Sequence, residues 1–98
     1  MRAQIIMDMS TRSAGDGEAV SFDSSTQSAA ITAVGTTKVR VSCTTDGFIA
    51  IGASPTAVVG TGFHMPAGTI EYFDCLVGEK VAAIKVSSAG TMYVKPVL

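Results

Sequence analysis

Apolar and polar residues alternate along most of the chain between residues 36 and 94, in short stretches separated by turn residues. In Lys38–Cys43, for example, Val39, Val41 and Cys43 fall on one side of an extended chain and the polar residues on the other. A period of two residues is typical of a β-strand with one buried face. The interruptions come at near-regular intervals, at Asp46-Gly47, Ser54-Pro55, Pro66-Ala67-Gly68, Gly78-Glu79-Lys80 and Ala89-Gly90. This spacing predicts an all-β fold.

The number of stretches indicates how the strands pack. About eight short antiparallel strands suit a β-sandwich of the jelly-roll or immunoglobulin-like type, with a small barrel as the alternative. The predicted strands are Gln4–Met9, 20–23, 29–33, Lys38–Cys43, Phe48–Ala53, Phe63–Met65, Thr69–Cys75, Lys80–Val86 and Thr91–Val94. Asp46-Gly47 predicts a tight turn that pairs Val39 to Ile51 as a hairpin, because Asp-Gly favours two-residue hairpin turns. A helix over Ser24–Val34 is the competing prediction there, disfavoured by its β-branched residues.

The N-terminal third has a different composition. Ser10–Gln27 is rich in Ser, Thr, Gly and Asp, which is typical of loops. We therefore predict that residues 1–98 form a single β domain with a loop-rich N-terminal arm at about residues 8–28. The preceding strand, Gln4–Met9, has apolar side chains on both faces, so we expect it and the arm to reach a neighbouring molecule.

The whole composition is poor in charge. Only 15% of the 98 residues are charged, against about 25% in an ordinary soluble domain, and 47% are hydrophobic. A charge-depleted surface is typical of persistent protein contacts, so we expect an oligomer or an assembly-bound protein. The alternative is a small monomer covered by Ser and Thr.

Several partners and locations are not expected. The net charge is −1 and no stretch concentrates Lys or Arg, so we expect no nucleic-acid partner. The sequence has no run of eighteen or more apolar residues, so we expect no membrane span. The first residues do not resemble a signal peptide. We expect synthesis in the cytoplasm.

Candidate catalytic and metal-binding residues are few. His64 is the only histidine and has no spaced ligand pair, so we predict no metal site and no cofactor. Glu71 and Asp74, the nearest pair of carboxylates, are three residues apart on one strand and should point to opposite faces. Cys43 and Cys75 are predicted to be free thiols in the core. We expect no enzymatic activity.

A recognisable order of motifs runs from Thr36 to Gly90. It consists of a β hairpin with a Thr-Asp turn, the segment IAIGASPT at Ile49–Thr56, a Met-Pro-Ala-Gly step into Glu71-Tyr72-Phe73, and GEKVA at Gly78–Ala82. This order resembles a recurring type of small virion protein encoded by tailed bacteriophages. The resemblance covers rather more than half of the chain and leaves out its N-terminal third.

The resemblance implies a capsid decoration, or cement, protein. Such a protein is a β-sandwich that binds the outer surface of the assembled virion shell and clamps neighbouring subunits. Its partners would be the major capsid protein and copies of itself. The family brings no catalytic residues to this chain.

Two further expectations concern the binding surface. The candidate assembly contacts are Ile5, Ile6 and Met7 in the first strand and Phe63, His64 and Met65 in the short apolar segment. The alternative function is a head-fibre or tail-associated protein, or a receptor-binding module that recognises glycans. That module would expose a cluster of Phe48, Tyr72 or Tyr93.

Overall fold

The structure, a computed structural model, describes residues 15–28 and 38–97. These residues form eight β-strands in two antiparallel sheets and no helix. The strands are β1 (Glu18–Phe22), β2 (Thr26–Gln27), β3 (Lys38–Cys43), β4 (Gly47–Gly52), β5 (Phe63–Met65), β6 (Ile70–Asp74), β7 (Lys80–Lys85) and β8 (Gly90–Val97). The prediction of an all-β fold is confirmed. The predicted strands at Gln4–Met9 and 29–33 lie outside the described residues.

The order of the strands is that of a jelly roll. The first sheet runs β1-β8-β3-β6 and the second β2-β7-β4-β5. Every strand of the first half therefore lies beside its mirror partner from the second half, β1 with β8, β2 with β7, β3 with β6 and β4 with β5. A chain that turns back once between β4 and β5 and then rolls up produces this order. The two sheets are separate, so the fold is a sandwich and not a closed barrel.

The core fills the space between the two sheets. Alternation decides which side chains enter it: Val39, Val41 and Cys43 of β3 are buried, while the residues between them are more exposed. Ile49 of β4 and Val81 of β7 enter from the second sheet and are also completely buried. Removal of this apolar surface from water is the main term that stabilises such a sandwich.

The predicted hairpin from Val39 to Ile51 is wrong. β3 pairs with β6 and β8, whereas β4 pairs with β5 and β7. The three residues Thr44, Thr45 and Asp46 carry the chain from one sheet to the other. A two-residue hairpin turn of type I′ requires a positive φ at its glycine, and Gly47 does not have one.

Neighbouring turns hold this corner in place. The carboxylate Oδ1 of Asp46 accepts a hydrogen bond from the Ala67 N–H at 2.8 Å, and its backbone carbonyl accepts one from Val86 at 3.2 Å. Gly47 is needed for close approach: a Cβ there would lie 2.9 Å from the Ile84 carbonyl oxygen. The Asp-Gly pair therefore makes a bend between sheets instead of a hairpin.

Two of the predicted turns follow ordinary β-turn chemistry. In Pro66–Thr69 and in Leu76–Glu79 the first carbonyl accepts a hydrogen bond from the fourth N–H, at 3.1 and 3.0 Å. The third residue of each turn, Gly68 or Gly78, has a φ of +77° or +94°. Glycine adopts this left-handed region without steric cost, which is why these turns were recognisable in the sequence.

The segment predicted as a loop-rich arm contains two strands, and the strand predicted at 20–23 is confirmed by β1. β1 is an edge strand of the first sheet and β2 an edge strand of the second. Val20 and Phe22 are buried in the core, and Ser28 exchanges hydrogen bonds with the Val81 backbone at 2.8 and 3.0 Å. The polar composition hid β2, whereas the alternation of Val20 and Phe22 indicated β1. The competing helix is not formed in residues 24–28, where β2 lies.

Candidate binding surface

The outer side of the first sheet carries the clearest candidate site. Because Val39, Val41 and Cys43 point into the core, the residues between them on β3 point outward. The register extends this side across the sheet. We call it the open face; it consists of Ala19 and Ser21 of β1, Thr91, Tyr93 and Lys95 of β8, Lys38, Arg40 and Ser42 of β3, and Ile70, Tyr72 and Asp74 of β6, while Val97 of β8, on the same side opposite Lys38, is buried.

Large side chains surround an arginine at the centre of this face. One row across the sheet consists of Ala19, Tyr93, Ser42 and Ile70, and the next of Lys95, Arg40 and Tyr72. Tyr93, Ile70 and Tyr72 are 49%, 46% and 47% exposed. Arg40 lies directly opposite Tyr72 and diagonal to Tyr93, so both rings are within reach of its side chain. Tyrosine and arginine are the residues most enriched at the centres of protein interfaces.

The open face is positively charged. It holds Lys38, Arg40 and Lys95 against the single carboxylate of Asp74, while the other described residues hold two cations and six carboxylates. Lys38 and Asp74 form an ion pair at 2.8 Å, but both side chains are more than half exposed, so the pair adds little stability. Within the part of the chain that the structure describes, Arg40 and Lys95 have no salt-bridge partner. The sign of this face is opposite to that of the whole chain.

A glycine helps to place one of these cations. Gly17 lies opposite Lys95 beside β1, and a Cβ on it would be 3.2 Å from Cδ of that lysine. The lysine stem therefore lies against the backbone of the neighbouring edge. Packing of the stem in this way leaves the ammonium group at the surface.

The outer side of the second sheet is covered by the chain itself around Ala82. The register places Ala82 of β7 on this outer side, beside Gln27 and Ala50, yet Ala82 is completely buried. The Gln27 side-chain amide donates a hydrogen bond to the Pro55 carbonyl at 2.8 Å, and the Ala57 N–H donates one to Ser25 Oγ at 2.9 Å. The loop of residues 53–62 therefore passes over this side, which we call the covered face.

The predicted contact residues of β5 fall into different environments. Phe63 is 56% exposed and its ring centroid lies 5.0 Å from that of Phe73, at the edge between the sheets. His64 is exposed and its ring lies 5.0 Å from Phe48. Met65 is completely buried, so the prediction that it contacts a partner is corrected. Ile5, Ile6 and Met7 lie outside the described residues.

Both cysteines are free and buried, as predicted. Burial raises the pKa of the Cys43 thiol to about 11, because the thiolate loses its hydration. Burial also raises the pKa of Cys75, and the negative charge of Glu79 adds to that effect. Both thiols are therefore neutral and poor nucleophiles at neutral pH.

The remaining polar groups are dispersed. Glu71 pairs with an inward position of β3 and Asp74 with an outward one, so the prediction that they point to opposite faces is confirmed. Among residues 15–28 and 38–97, no group of three or more His, Cys, Asp or Glu side chains is placed to hold a metal ion.

An open cleft of about 450 Å³ lies at the end of the sandwich, lined by Ser21, Phe22, Asp23, Ser24, Thr26, Ala89, Gly90 and Thr91.

In the described part of the chain, no helix has the length and apolar character that crossing a membrane requires.

Comparison with protein-family models, with curated proteins and with solved structures finds no match to this chain. The resemblance to phage virion proteins therefore remains a prediction from the sequence.

Sequence reasoning missed the open face as a unit. It placed the polar residues of Lys38–Cys43, among them Arg40, opposite the buried ones. It did not bring these residues together with Tyr93, because that requires the order of β8, β3 and β6 in the sheet. The feature of the sequence that could have indicated this face is the presence of large apolar side chains on the polar side of predicted strands.

Proposed function

We propose that this protein is a non-enzymatic structural protein that decorates the assembled shell of a tailed bacteriophage and stabilises the junctions between shell subunits. The observation that carries the proposal is the open face, where half-exposed Tyr93, Ile70 and Tyr72 surround Arg40 on the outer side of the first sheet. The motif order from Thr36 to Gly90 supports the same function.

The amount of exposed apolar surface also supports the proposal. Nine large apolar side chains are at least 45% exposed: Val58, Val59, Phe63, Ile70, Tyr72, Leu76, Val77, Val86 and Tyr93. Single apolar residues at a surface are normal, but grouped ones mark contact sites. On a shell, several of these side chains would be covered by neighbouring subunits.

The sandwich fold is suited to this work. A protein that binds only the assembled shell stabilises that state by mass action, and it needs no moving part. A shell presents many equivalent sites, so weak individual contacts add up when copies are linked. A fold alone does not decide function, and the proposal therefore depends on the surface and not on the jelly roll.

Cosedimentation tests this proposal. Purified protein is mixed with capsids of the encoding phage that were assembled without it, and the pelleted amount is measured as its concentration rises. We expect saturable binding at a fixed ratio to the capsid subunit, and a higher temperature of capsid disruption. A native mass measurement of the free protein shows whether it binds as a monomer or an oligomer. Protein that stays in the supernatant at all concentrations contradicts the proposal.

Glycan binding is the second candidate, because two tyrosines of the predicted cluster are exposed on one face. Tyr72 and Tyr93 lie on the open face, where aromatic rings can stack on sugars. Phe48 lies on the other sheet and its ring is near that of His64. Saturable binding to host-surface glycans without affinity for capsids would favour this candidate over shell decoration.

A further inference from the structure

We infer that the open face docks onto a carboxylate-bearing protein surface of the shell, with Arg40 as its central anchor. The inference rests on the proposed function and adds the contact face and the chemistry of the partner. It follows from the charge, the position and the size of the open face.

The charge of the face selects the partner. Arg40 and Lys95 are half-buried beside large side chains, and no carboxylate in the described residues pairs with them. When such a face is covered, both cations lose water, which is unfavourable unless the partner supplies negative groups. A partner with carboxylates opposite these two residues meets that requirement.

The position of Arg40 makes it the anchor. It lies on β3, an inner strand of the sheet, and Tyr72, Tyr93 and Ile70 surround it. Contacts at the centre of an interface exclude water best and contribute most of the binding energy. The planar guanidinium binds a carboxylate through two hydrogen bonds, and lysine cannot reproduce this geometry.

The same charge disfavours a second copy of the chain as the occupant. In a two-fold symmetric dimer through this face, the same patch would lie on both sides of the interface. Arg40 and Lys95 of one copy would then face the positively charged patch of the other. Like charges in such a contact repel each other.

The area of the open face limits how tightly one copy of the protein can bind the shell. Four strands about 4.8 Å apart, each contributing about five residues of 3.3 Å, form a face of roughly 300 Å². A stable interface usually needs about 800 Å² on each partner. Each open face alone therefore binds weakly, and we expect linked copies or further contacts to supply the rest.

The test uses charge-reversed variants in the capsid cosedimentation assay. Arg40→Glu changes the proposed anchor, and Lys95→Glu is a second variant on the same face. The matched control is Lys80→Glu, because Lys80 is a half-buried lysine at the start of β7 in the other sheet. Urea denaturation of all variants checks that each folds like the wild type.

We expect Arg40→Glu and Lys95→Glu each to weaken capsid binding by about tenfold or more, and Lys80→Glu to change it less than about twofold. Raising the NaCl concentration from 0.05 to 0.5 M should weaken wild-type binding and affect Arg40→Glu less. This pattern supports the inference.

Three outcomes overturn the inference. If wild-type protein does not bind capsids, both the inference and the proposed function fail. If wild-type protein binds and all three variants bind equally well, the docking face is elsewhere while the proposed function stands. If Arg40→Glu changes the native mass of the free protein and not its binding to capsids, the occupant of the face is a second copy.

Discussion

The two outer faces of this sandwich are built by the same alternation of residues and are treated differently by the rest of the chain. On the covered face, the loop of residues 53–62 passes over Ala82, and Gln27 holds it through the Pro55 carbonyl. On the open face, Tyr93 and Tyr72 remain about half exposed beside two cations. Alternation therefore determines which side chains point outward, whereas the loops determine which of them are exposed to solvent.

The largest difference in stability between the two faces is expected when a charged residue is introduced on each of them. Ala82→Glu places a carboxylate beneath the loop, and we expect it to lower the free energy of unfolding by more than about 3 kcal/mol. Ser42→Glu places the same group on the open face, where we expect a change within about 0.5 kcal/mol. Urea denaturation of both variants gives the two values. Equal losses would show that the two faces do not differ in coverage.

The next largest effect on stability is expected at Gly62, where the loop of residues 53–62 reaches β5. A Cβ on Gly62 would clash with the Ile49 carbonyl oxygen, a backbone atom that cannot move aside easily. We expect Gly62→Ala to cost about 1–3 kcal/mol of unfolding free energy. Gly52→Ala is the matched control, because a Cβ there meets nothing within 4 Å. A Gly62→Ala variant as stable as Gly52→Ala would mean that the loop is not fixed at this point.

Raising the pH tests the core that both faces share. Burial raises the pKa of Cys43 from 9.0 to about 11. Between these two pH values the folded chain therefore keeps the thiol proton, whereas the unfolded chain loses it. This contribution to stability is complete below pH 9 and is lost as the pH rises through about 11. At pH 10 the loss is on the order of 1 kcal/mol.

The matched variant for this titration is Cys43→Ala. Its unfolding free energy should fall less than that of the wild type between pH 8 and pH 10, when both are measured by urea denaturation. Identical pH profiles would show that the thiol is not protected by the core. Direct labelling of the wild type with a thiol reagent should be slow under native conditions and fast in urea.

The smallest effect concerns a single hydrogen bond of the covered face. Gln27→Ala removes the donor to the Pro55 carbonyl, and we expect a loss of about 1 kcal/mol. Amide hydrogen exchange of Ala57 and its neighbours should become faster. Ser21→Ala on the open face is the control and should change neither quantity. Unchanged exchange in Gln27→Ala would show that this bond does not hold the loop.

Much of the fold was predictable because it depends on local rules. Alternation around Val39 and Val41 indicated the core, and the glycines of two β-turns, Gly68 and Gly78, indicated where strands end. The predicted hairpin failed because Asp46-Gly47 can serve a hairpin or a bend between sheets. The choice depends on distant partners such as Ala67 and Val86, which local sequence does not reveal.

The candidate site was less predictable for a related reason. The open face joins residues of four strands that are up to about 75 positions apart in the sequence, and only the sheet order places Tyr93 and Ile70 on either side of Ser42. Sequence reasoning instead selected the apolar segment Phe63–Met65 as a contact. Short apolar segments can enter the core or the surface, and Met65 entered the core.

The most direct test of the account is hydroxyl-radical footprinting of the protein free in solution and bound to capsids. We predict that Tyr93 and Ile70 lose reactivity on the capsid, because the open face is covered there. His64 and Val58, which are exposed elsewhere, should keep theirs. Unchanged reactivity of Tyr93 together with protection of His64 would contradict the account and place the contact at β5.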